Sequence, residues 1–266
     1  MTQDLITLID NGIATITMNR PASRNALTPE MVRAMHDALT AYATDPSIRL
    51  VVLTGTGGAF CSGGDVKGFA QIAAGEEPPM TFDQRVTDLR LRMEVSRLLH
   101  EIPKPTLAVL PGPAAGAGFS LALACDLRLA ADDVRLTTAF ARIGVSGDFG
   151  GSYFLSHLVG ASRARELYFT GRMVPADEAL RIGLVDRIAP AAQLAEFAWQ
   201  WAQELAALPT VALGYMKRNL NLGLRASLSD VMDAEAVHMV RTFHTEDHKA
   251  AAVAFVEKRK PHFSGR

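Results

Sequence analysis

Two glycine-rich segments carry the residues best suited to chemistry. They are residues 60–65 (FCSGGD) and 111–118 (PGPAAGAG), and each follows an apolar run typical of a β-strand. Glycine permits a tight turn and lets a ligand approach the backbone closely. A helix that begins after such a turn has unpaired N–H groups in its first turn, at the positive end of its dipole. Two such N–H groups that converge would hold an oxyanion, although each segment alone is also typical of an ordinary strand-to-helix turn.

The elements around these segments indicate an α/β chain. The patterns predict a hairpin over 3–9 and 12–18 around Asn11-Gly12, a helix from the Thr28 cap to about Asp45, a helix over 82–101, a loop at 74–79, and strands at 50–54, 106–110, 126–131, 134–139 and 184–189. They also predict short helices after Gly151, Ser162 and Pro175, and helices from Ala191 to about Arg259. Strands at the front and helices at the back favour a sheet-containing core with a helical C-terminal part.

Composition indicates a globular chain and excludes several partners. The 266 residues are 48% apolar with a formal net charge of −1 and no block of Lys and Arg, so we expect no nucleic acid partner. No apolar stretch reaches the ~20 residues of a membrane-spanning helix and no signal segment opens the chain, so we expect no membrane partner and a cytoplasmic location. The cysteines Cys61 and Cys125 lack metal or disulfide spacing, and neither glycine segment fits a Rossmann or P-loop motif.

Short patterns in a fixed order accompany the glycine segments along almost the whole chain. They are residues 19–21 (NRP) with 24–27 (RNAL), 58–65 (GAFCSGGD), 116–118 (GAG) leading to 124–126 (ACD), 171–173 (GRM) to 183–185 (GLV), and 254–259 (AFVEKR). In this order and spacing the sequence resembles the enoyl-CoA hydratase/isomerase (crotonase) family. The resemblance implies an α/β fold, with a spiral of ββα units over 1–195 and a helical region over 196–266 that assembles subunits into a homotrimer or hexamer.

The resemblance also implies the substrate and the residues that hold it. The substrate would be an acyl-CoA thioester, with coenzyme A as part of the substrate and no other cofactor and no metal. The N–H groups of Gly64 and Ala117 would bind the thioester oxygen. The implied CoA-binding residues are Arg24, Ala26, Ser62, Gly64, Asp65, Val66 and Lys258, and the implied acyl-pocket residues are Phe69, Met93, Phe140 and Phe149. Arg24 and Lys258 would meet phosphates, although the charged run 257–260 is also typical of a solvated helix end.

The chain departs from the pattern of the family's hydratases at both acid positions. Those enzymes use two glutamates around a water molecule, and the corresponding positions here are Ser120 and Phe140. Neither side chain can act as a carboxylate acid or base. Hydration of a double bond is therefore disfavoured.

One carboxylate, Asp148, remains within reach of the site. Several isomerases that the chain resembles place an acid here, including those that act on dienoyl-CoA and on the ring epoxide of phenylacetyl-CoA breakdown. Phe140, Phe149 and Tyr153 would surround it with apolar groups and raise its pKa. Alternatively, Asp148 could cap the helix that follows. The family's dehalogenases use a nucleophilic Asp at this position with a helix His as base, but that His position falls near Met93, which disfavours their chemistry.

Three functions remain open from the sequence. The first is an acyl-CoA isomerase in which Asp148 carries the proton between two carbons, shifting a double bond or isomerising a ring epoxide. The second is a 2-enoyl-CoA hydratase of fatty-acid or aromatic-acid breakdown. The third is a non-catalytic member that binds acyl-CoA or RNA, and the net charge of −1 argues against RNA.

Overall fold

A mixed β-sheet forms the centre of the protein. The computed structural model describes residues 4–64 and 80–266. The strands are β1 (Leu5–Asp10), β2 (Ile13–Met18), β3 (Leu50–Gly55), β4 (Thr106–Leu110), β5 (Ala114–Ala115), β6 (Leu127–Ala131), β7 (Arg135–Thr137), β8 (Val174–Pro175) and β9 (Arg187–Ala189). A six-stranded sheet has the order β1-β2-β3-β4-β6-β9, with β1 antiparallel to β2 and the other neighbours parallel. A smaller sheet has the order β5-β7-β8.

Helices cover both faces of the six-stranded sheet. The described α-helices are α1 (Pro29–Thr44), α2 (Phe82–Arg92), α3 (Glu94–Glu101), α4 (Gly116–Ala124), α5 (Gly151–Val159), α6 (Ala161–Thr170), α7 (Ala176–Arg181), α8 (Leu194–Ala206), α9 (Thr210–Gly223), α10 (Leu228–Phe243) and α11 (Glu246–Val256). Short 3₁₀ turns lie at Pro21–Ser23, Phe140–Ile143 and Ala191–Gln193. None of the helices in the described ranges is long and apolar enough to cross a membrane.

Local sequence explains the first elements directly. Asn11 and Gly12 have φ values of 49° and 77°, the left-handed pair that a two-residue hairpin turn requires. Thr28 begins α1, because its Oγ1 accepts a hydrogen bond from the Met31 N–H at 3.1 Å. The predicted hairpin and the predicted start of α1 are therefore confirmed.

Alternation along the strands divides the core into two layers. Ala14, Ile16, Val51 and Leu53 face the larger layer, which holds the buried faces of α1, α3 and α4. Their strand neighbours, such as Leu50 and Val52, face a second layer, where α8 contributes Leu194, Trp201 and Ala202. The predicted α/β class and helical C-terminal region are confirmed, whereas the division at residue 195 stays a prediction.

Three predicted elements differ from the structure. The helix predicted over 82–101 is two helices, because α2 buries none of its residues whereas α3 turns Val95 and Leu99 into the core. The strand predicted over 134–139 ends at Thr137, since Ala139 has a φ of 58° that no strand contains. The strand predicted over 184–189 is confined to β9, because the Leu184 N–H instead donates to the Ala179 carbonyl and closes the turn after α7. The loop predicted at 74–79 lies outside the described residues.

Candidate active site

The two glycine-rich segments lie side by side. Cys61 pairs with Ala114 in a parallel bridge, and the Ala115 N–H donates to the Cys61 carbonyl at 2.9 Å. A Cβ atom at Gly118 would lie 2.4 Å from that carbonyl oxygen, so only glycine permits the contact. Cys61 is buried, and burial raises the pKa of its thiol to about 12, so the thiol stays protonated and unreactive at neutral pH.

The N–H groups of Gly64 and Ala117 are both available beside this contact. A Cβ atom at Gly63 would lie 3.4 Å from the Ala117 nitrogen, which brings the start of α4 next to Gly64. Gly64 bridges to Leu27, but the bridging hydrogen bond runs from the Leu27 N–H to the Gly63 carbonyl at 2.8 Å. Ala117 lies in the first turn of α4, where N–H groups have no intrahelical partner. Neither N–H donates to another described residue, so two free donors lie close together.

Asp148 lies on a glycine-rich connection before α5 and does not cap that helix. The N-cap residue of α5 is Gly150, and no side chain caps it. The backbone carbonyl of Asp148, not its carboxylate, accepts the Gly151 N–H at 3.1 Å. The capping alternative is therefore wrong, and the carboxyl group is left for another role.

The Asp148 carboxyl group is desolvated and makes no hydrogen bond in the described part of the chain. Its Oδ1 atom is buried without a hydrogen-bond partner among the described residues. This burial raises the pKa of Asp148 from 3.8 to about 6. A carboxyl group with a pKa near neutrality can both accept and return a proton at physiological pH.

Aromatic rings connect the Asp148 segment to the start of α4. Phe140 and Phe149 are buried. The Phe140 ring lies 3.3 Å from the position of a Cβ atom at Gly147 and 3.6 Å from the position of one at Gly116. The ring therefore lies between the residues that precede Asp148 and Ala117 in the chain. Tyr153 does not belong to this apolar wall: it is 38% exposed, and its ring contacts those of His100, Phe154 and His157.

Two hydroxyl groups complete the surroundings of Asp148, and one of them comes from a residue that the sequence did not single out. Ser120, at a glutamate position of the hydratases, is buried and donates to the Gly116 carbonyl at 3.2 Å. Tyr168, on α6, stacks on Phe140 with ring centroids 5.9 Å apart. Tyr168 lies four residues after the buried Ala164 on α6, and this helical spacing predicts a core residue. Only the tertiary fold brings its hydroxyl to the site.

The predicted CoA-binding residues fall into three groups. Arg24, Ala26, Ser62 and Gly64 come together, since the Ser62 N–H donates to the Arg24 carbonyl at 2.9 Å and its Oγ donates to the Ser23 carbonyl at 3.1 Å. Lys258 is exposed just beyond α11, and no described contact joins it to this group. Asp65, Val66 and the acyl-pocket residue Phe69 lie outside the described residues. Met93 lies at the junction of α2 and α3, partly buried against the core.

Comparison with known proteins identifies the family. Residues 8–266 match the family model described as enoyl-CoA hydratase/isomerase. The chain is 31% identical over 266 residues to the 1,2-epoxyphenylacetyl-CoA isomerase of Escherichia coli, covering 100% of both chains. It is 32% identical over 252 residues to the short-chain-enoyl-CoA hydratase of Clostridium acetobutylicum, covering 94% of each.

A solved structure agrees with the sequence comparisons. The crystal structure of an enoyl-CoA hydratase from Polaromonas sp. JS666 superposes with a TM-score of 0.90 at 32% identity, covering 97% of this chain and 99% of that one. The predicted family and its fold are confirmed: the chain belongs to the enoyl-CoA hydratase/isomerase (crotonase) family, which acts on acyl-CoA thioesters.

Proposed function

We propose that the protein is an acyl-CoA isomerase in which Asp148 is the acid and base. The observation that carries this proposal is the buried Asp148 Oδ1 atom without a described partner, in a carboxyl group whose pKa is raised to about 6. Structural carboxylates in protein interiors are normally paired or hydrogen-bonded, because an unpaired one is costly. An exception beside two free N–H groups therefore supports catalysis.

The proposed reaction moves one proton across an allylic system. The Asp148 carboxylate takes a proton from the carbon next to the thioester, and the electron pair left behind delocalises onto the thioester oxygen. The N–H groups of Gly64 and Ala117 stabilise this enolate oxygen. The protonated Asp148 then returns the proton to the γ-carbon, so the double bond moves and no atom is gained or lost.

The same arrangement suits the isomerisation of a ring epoxide. That reaction also needs no added water, and the thioester oxygen would bind between the same N–H groups. The relative from E. coli, named as a 1,2-epoxyphenylacetyl-CoA isomerase and matched along its full length, supports this version. Double-bond shift and epoxide isomerisation thus share one site and one carboxyl group.

Hydration is the alternative that relatives named as hydratases support. It requires a group that activates water, and the two positions that hold glutamates in hydratases have a serine and a phenylalanine. The Ser120 hydroxyl donates a hydrogen bond to the Gly116 carbonyl, and Phe140 packs against Tyr168. Neither can take a proton from water, so we favour isomerisation.

The acyl-CoA would be held by residues around the glycine segments. We propose that Arg24 binds CoA phosphate, that Ala26 and Ser62 line the pantetheine path, and that Lys258 adds a second cation. Met93, Phe140 and Phe149 would contact the acyl group. Binding of CoA by Asp65 and Val66, and of the acyl group by Phe69, stays a prediction from the sequence. The cytoplasmic location and the absence of a separate cofactor also stay predictions.

Asp148→Asn tests the proposed function. The amide keeps the shape of the side chain but cannot carry the proton, so kcat for 3-enoyl-CoA isomerisation should fall by ~10²-fold or more with acyl-CoA affinity little changed. Exchange of substrate hydrogen with deuterated water should stop as well. The exposed Asp133, changed to Asn, is the matched control. Near-normal turnover by the Asp148 variant would remove this carboxyl group from the mechanism, and faster hydration of crotonyl-CoA than isomerisation by the wild type would favour a hydratase.

We also propose that the C-terminal helices assemble the protein into a trimer or hexamer. Along α10, apolar side chains remain about half exposed: Met232 57%, Val237 51%, Met239 57%, Val240 55% and Phe243 44%. So much apolar surface on one helix is typical of an interface. Sedimentation at micromolar concentration should give a trimer or larger, and a stable monomer would contradict the proposal.

A further inference from the structure

The hydroxyl of Tyr168 is a polar group at the candidate site that the proton transfer does not use. Its oxygen lies 2.5 Å from the position that a Cβ atom at Gly151 would occupy, and Ser120 Oγ lies 2.3 Å from the same position. Gly151 is hydrogen-bonded to the backbone of Asp148. Two hydroxyl groups therefore converge on one glycine beside the proposed acid.

The two hydroxyl groups differ in what they can offer a substrate. The Ser120 hydroxyl already donates a hydrogen bond to the Gly116 carbonyl at 3.2 Å. The Tyr168 hydroxyl makes no hydrogen bond to another described residue. Burial, with the nearby Asp148 charge, raises the pKa of Tyr168 to about 12, so the hydroxyl keeps its proton at neutral pH. Tyr168 is thus a donor that lacks an acceptor in the described part of the chain.

The ring holds this donor in place before any substrate binds. It stacks on Phe140 with an interplanar angle of 15° and packs against the core. One ring edge lies 3.1 Å from the position of a Cβ atom at Gly147, so glycine at that position makes room for it. A donor already fixed in a half-buried site loses little conformational freedom when it forms a hydrogen bond.

We infer that the Tyr168 hydroxyl donates a hydrogen bond to an oxygen atom carried by the acyl group, and that the site thereby selects oxygen-bearing acyl groups over hydrocarbon chains. The inference rests on the proposed function, because it requires the acyl group to lie beside Asp148. A hydrocarbon chain would leave the Tyr168 hydroxyl without an acceptor, and a site with an unpaired polar group discriminates against such a ligand. Of the two proposed reactions, this favours the ring epoxide.

Binding of two unreactive ligands tests the inference without any turnover. The probes are phenylacetyl-CoA and its ring ortho-hydroxy derivative, which differ by one oxygen atom. The wild type should bind the hydroxylated ligand about 10-fold more tightly, and Tyr168→Phe, which keeps the ring stacking, should bind both equally. Ser120→Ala, the matched loss of a hydroxyl, should keep the preference. A wild type without preference, or a Tyr168→Phe variant that retains it, would overturn the inference.

Kinetics separate this inference from the proposed function. Tyr168→Phe should lower kcat/KM for the ring epoxide of phenylacetyl-CoA by roughly 10- to 100-fold and for a 3-enoyl-CoA by less than about 3-fold. If Asp148→Asn abolishes both reactions but Tyr168→Phe slows them equally, the inferred selectivity of Tyr168 is wrong, and the proposed acid and base role of Asp148 is kept. If Asp148→Asn leaves both reactions intact, the proposed function fails whatever Tyr168 does. Thermal unfolding of each variant checks that the fold is kept.

Discussion

The polar groups at the two ends of helix α4 differ in their hydrogen bonding. At the C-terminal end, Asp126 Oδ2 accepts hydrogen bonds from the Thr106 N–H at 2.8 Å, the Thr106 Oγ1 hydroxyl at 3.0 Å and the Lys217 ammonium at 2.8 Å. At the N-terminal end, the Ala117 N–H donates to no described residue, and the nearby Asp148 Oδ1 is buried without a described partner. The Asp126 carboxylate therefore accepts three hydrogen bonds at Oδ2, whereas Asp148 Oδ1 accepts none from the described residues.

Lys217 makes the C-terminal end an anchor for several elements at once. Its ammonium also donates to the Leu99 carbonyl at 2.8 Å and the Lys104 carbonyl at 3.2 Å. These bonds join α9 to the end of α3, the start of β4 and the end of α4. Unsatisfied polar groups cost stability, so a helix that leaves donors free at one end benefits from firm attachment at the other. One helix thus combines a structural end, at Asp126, with a reactive end, at Ala117.

Removal of the anchor should have the largest effect on stability. Lys217→Met leaves the partly buried Asp126 carboxylate without its counter-ion, and the free energy of unfolding in urea should fall by about 3 kcal/mol. The turnover of the folded variant should stay within about 3-fold of wild type, because the reactive end is untouched. Lys249→Met, which breaks an exposed pair with Glu246, is the control and should cost under about 0.5 kcal/mol. A collapse of turnover at unchanged stability would show that the two ends are not separate.

Removal of a donor at the reactive end should affect turnover rather than stability. Gly64→Pro lacks the N–H that would bind the thioester oxygen. Loss of one such donor costs about 2.7–4 kcal/mol of transition-state stabilisation, so turnover should fall by about 10²- to 10³-fold. Gly64→Ala keeps the N–H and should lose less. Circular dichroism and urea unfolding check the fold. An active, folded proline variant would remove Gly64 from the oxyanion site.

The unpaired carboxyl group should make stability depend on pH. Because the folded-state pKa of Asp148 is about 6, above its ordinary 3.8, the folded protein binds this proton more tightly than the unfolded chain. The stability that the protonated group contributes is complete below about pH 4 and is lost as the pH rises through 6. Asp148→Asn should therefore be about 1–2 kcal/mol more stable than wild type at pH 7–8, with the gain disappearing near pH 4. A gain that does not change with pH would contradict the raised pKa, and Asp133→Asn should show none.

The raised pKa of Asp148 should also govern how kcat/KM depends on pH. This is the smallest of the expected effects. Asp148 must be ionised to take a proton, so kcat/KM should rise about tenfold per pH unit below pH 6 and level off above it. A rate profile that is flat between pH 5 and 7 would separate the stability effect from catalysis and exclude Asp148 as the base.

The local structure, the fold class and the family could be predicted from the sequence alone, whereas the roles of the candidate site residues stay predictions. The Asn11-Gly12 turn, the Thr28 cap and the glycine segments follow from interactions within a few residues, and these segments also carry the family's pattern. Replacement of both hydratase acids by Ser120 and Phe140 could be read from the chain, as could Asp148 as the remaining carboxyl group.

Which of its possible roles each polar group takes depends on residues that only folding brings together. Asp126 and Lys217 are 91 residues apart along the chain, so only folding makes them partners. Capping and proton transfer both suit Asp148 in sequence, and the position of Gly150 at the start of α5 removes the first. The pattern around Tyr168 predicts a core residue. Packing on Phe140 places its hydroxyl beside Asp148. Desolvation and unpaired hydrogen-bond donors depend on what surrounds a group in space, and neighbours in sequence do not specify that.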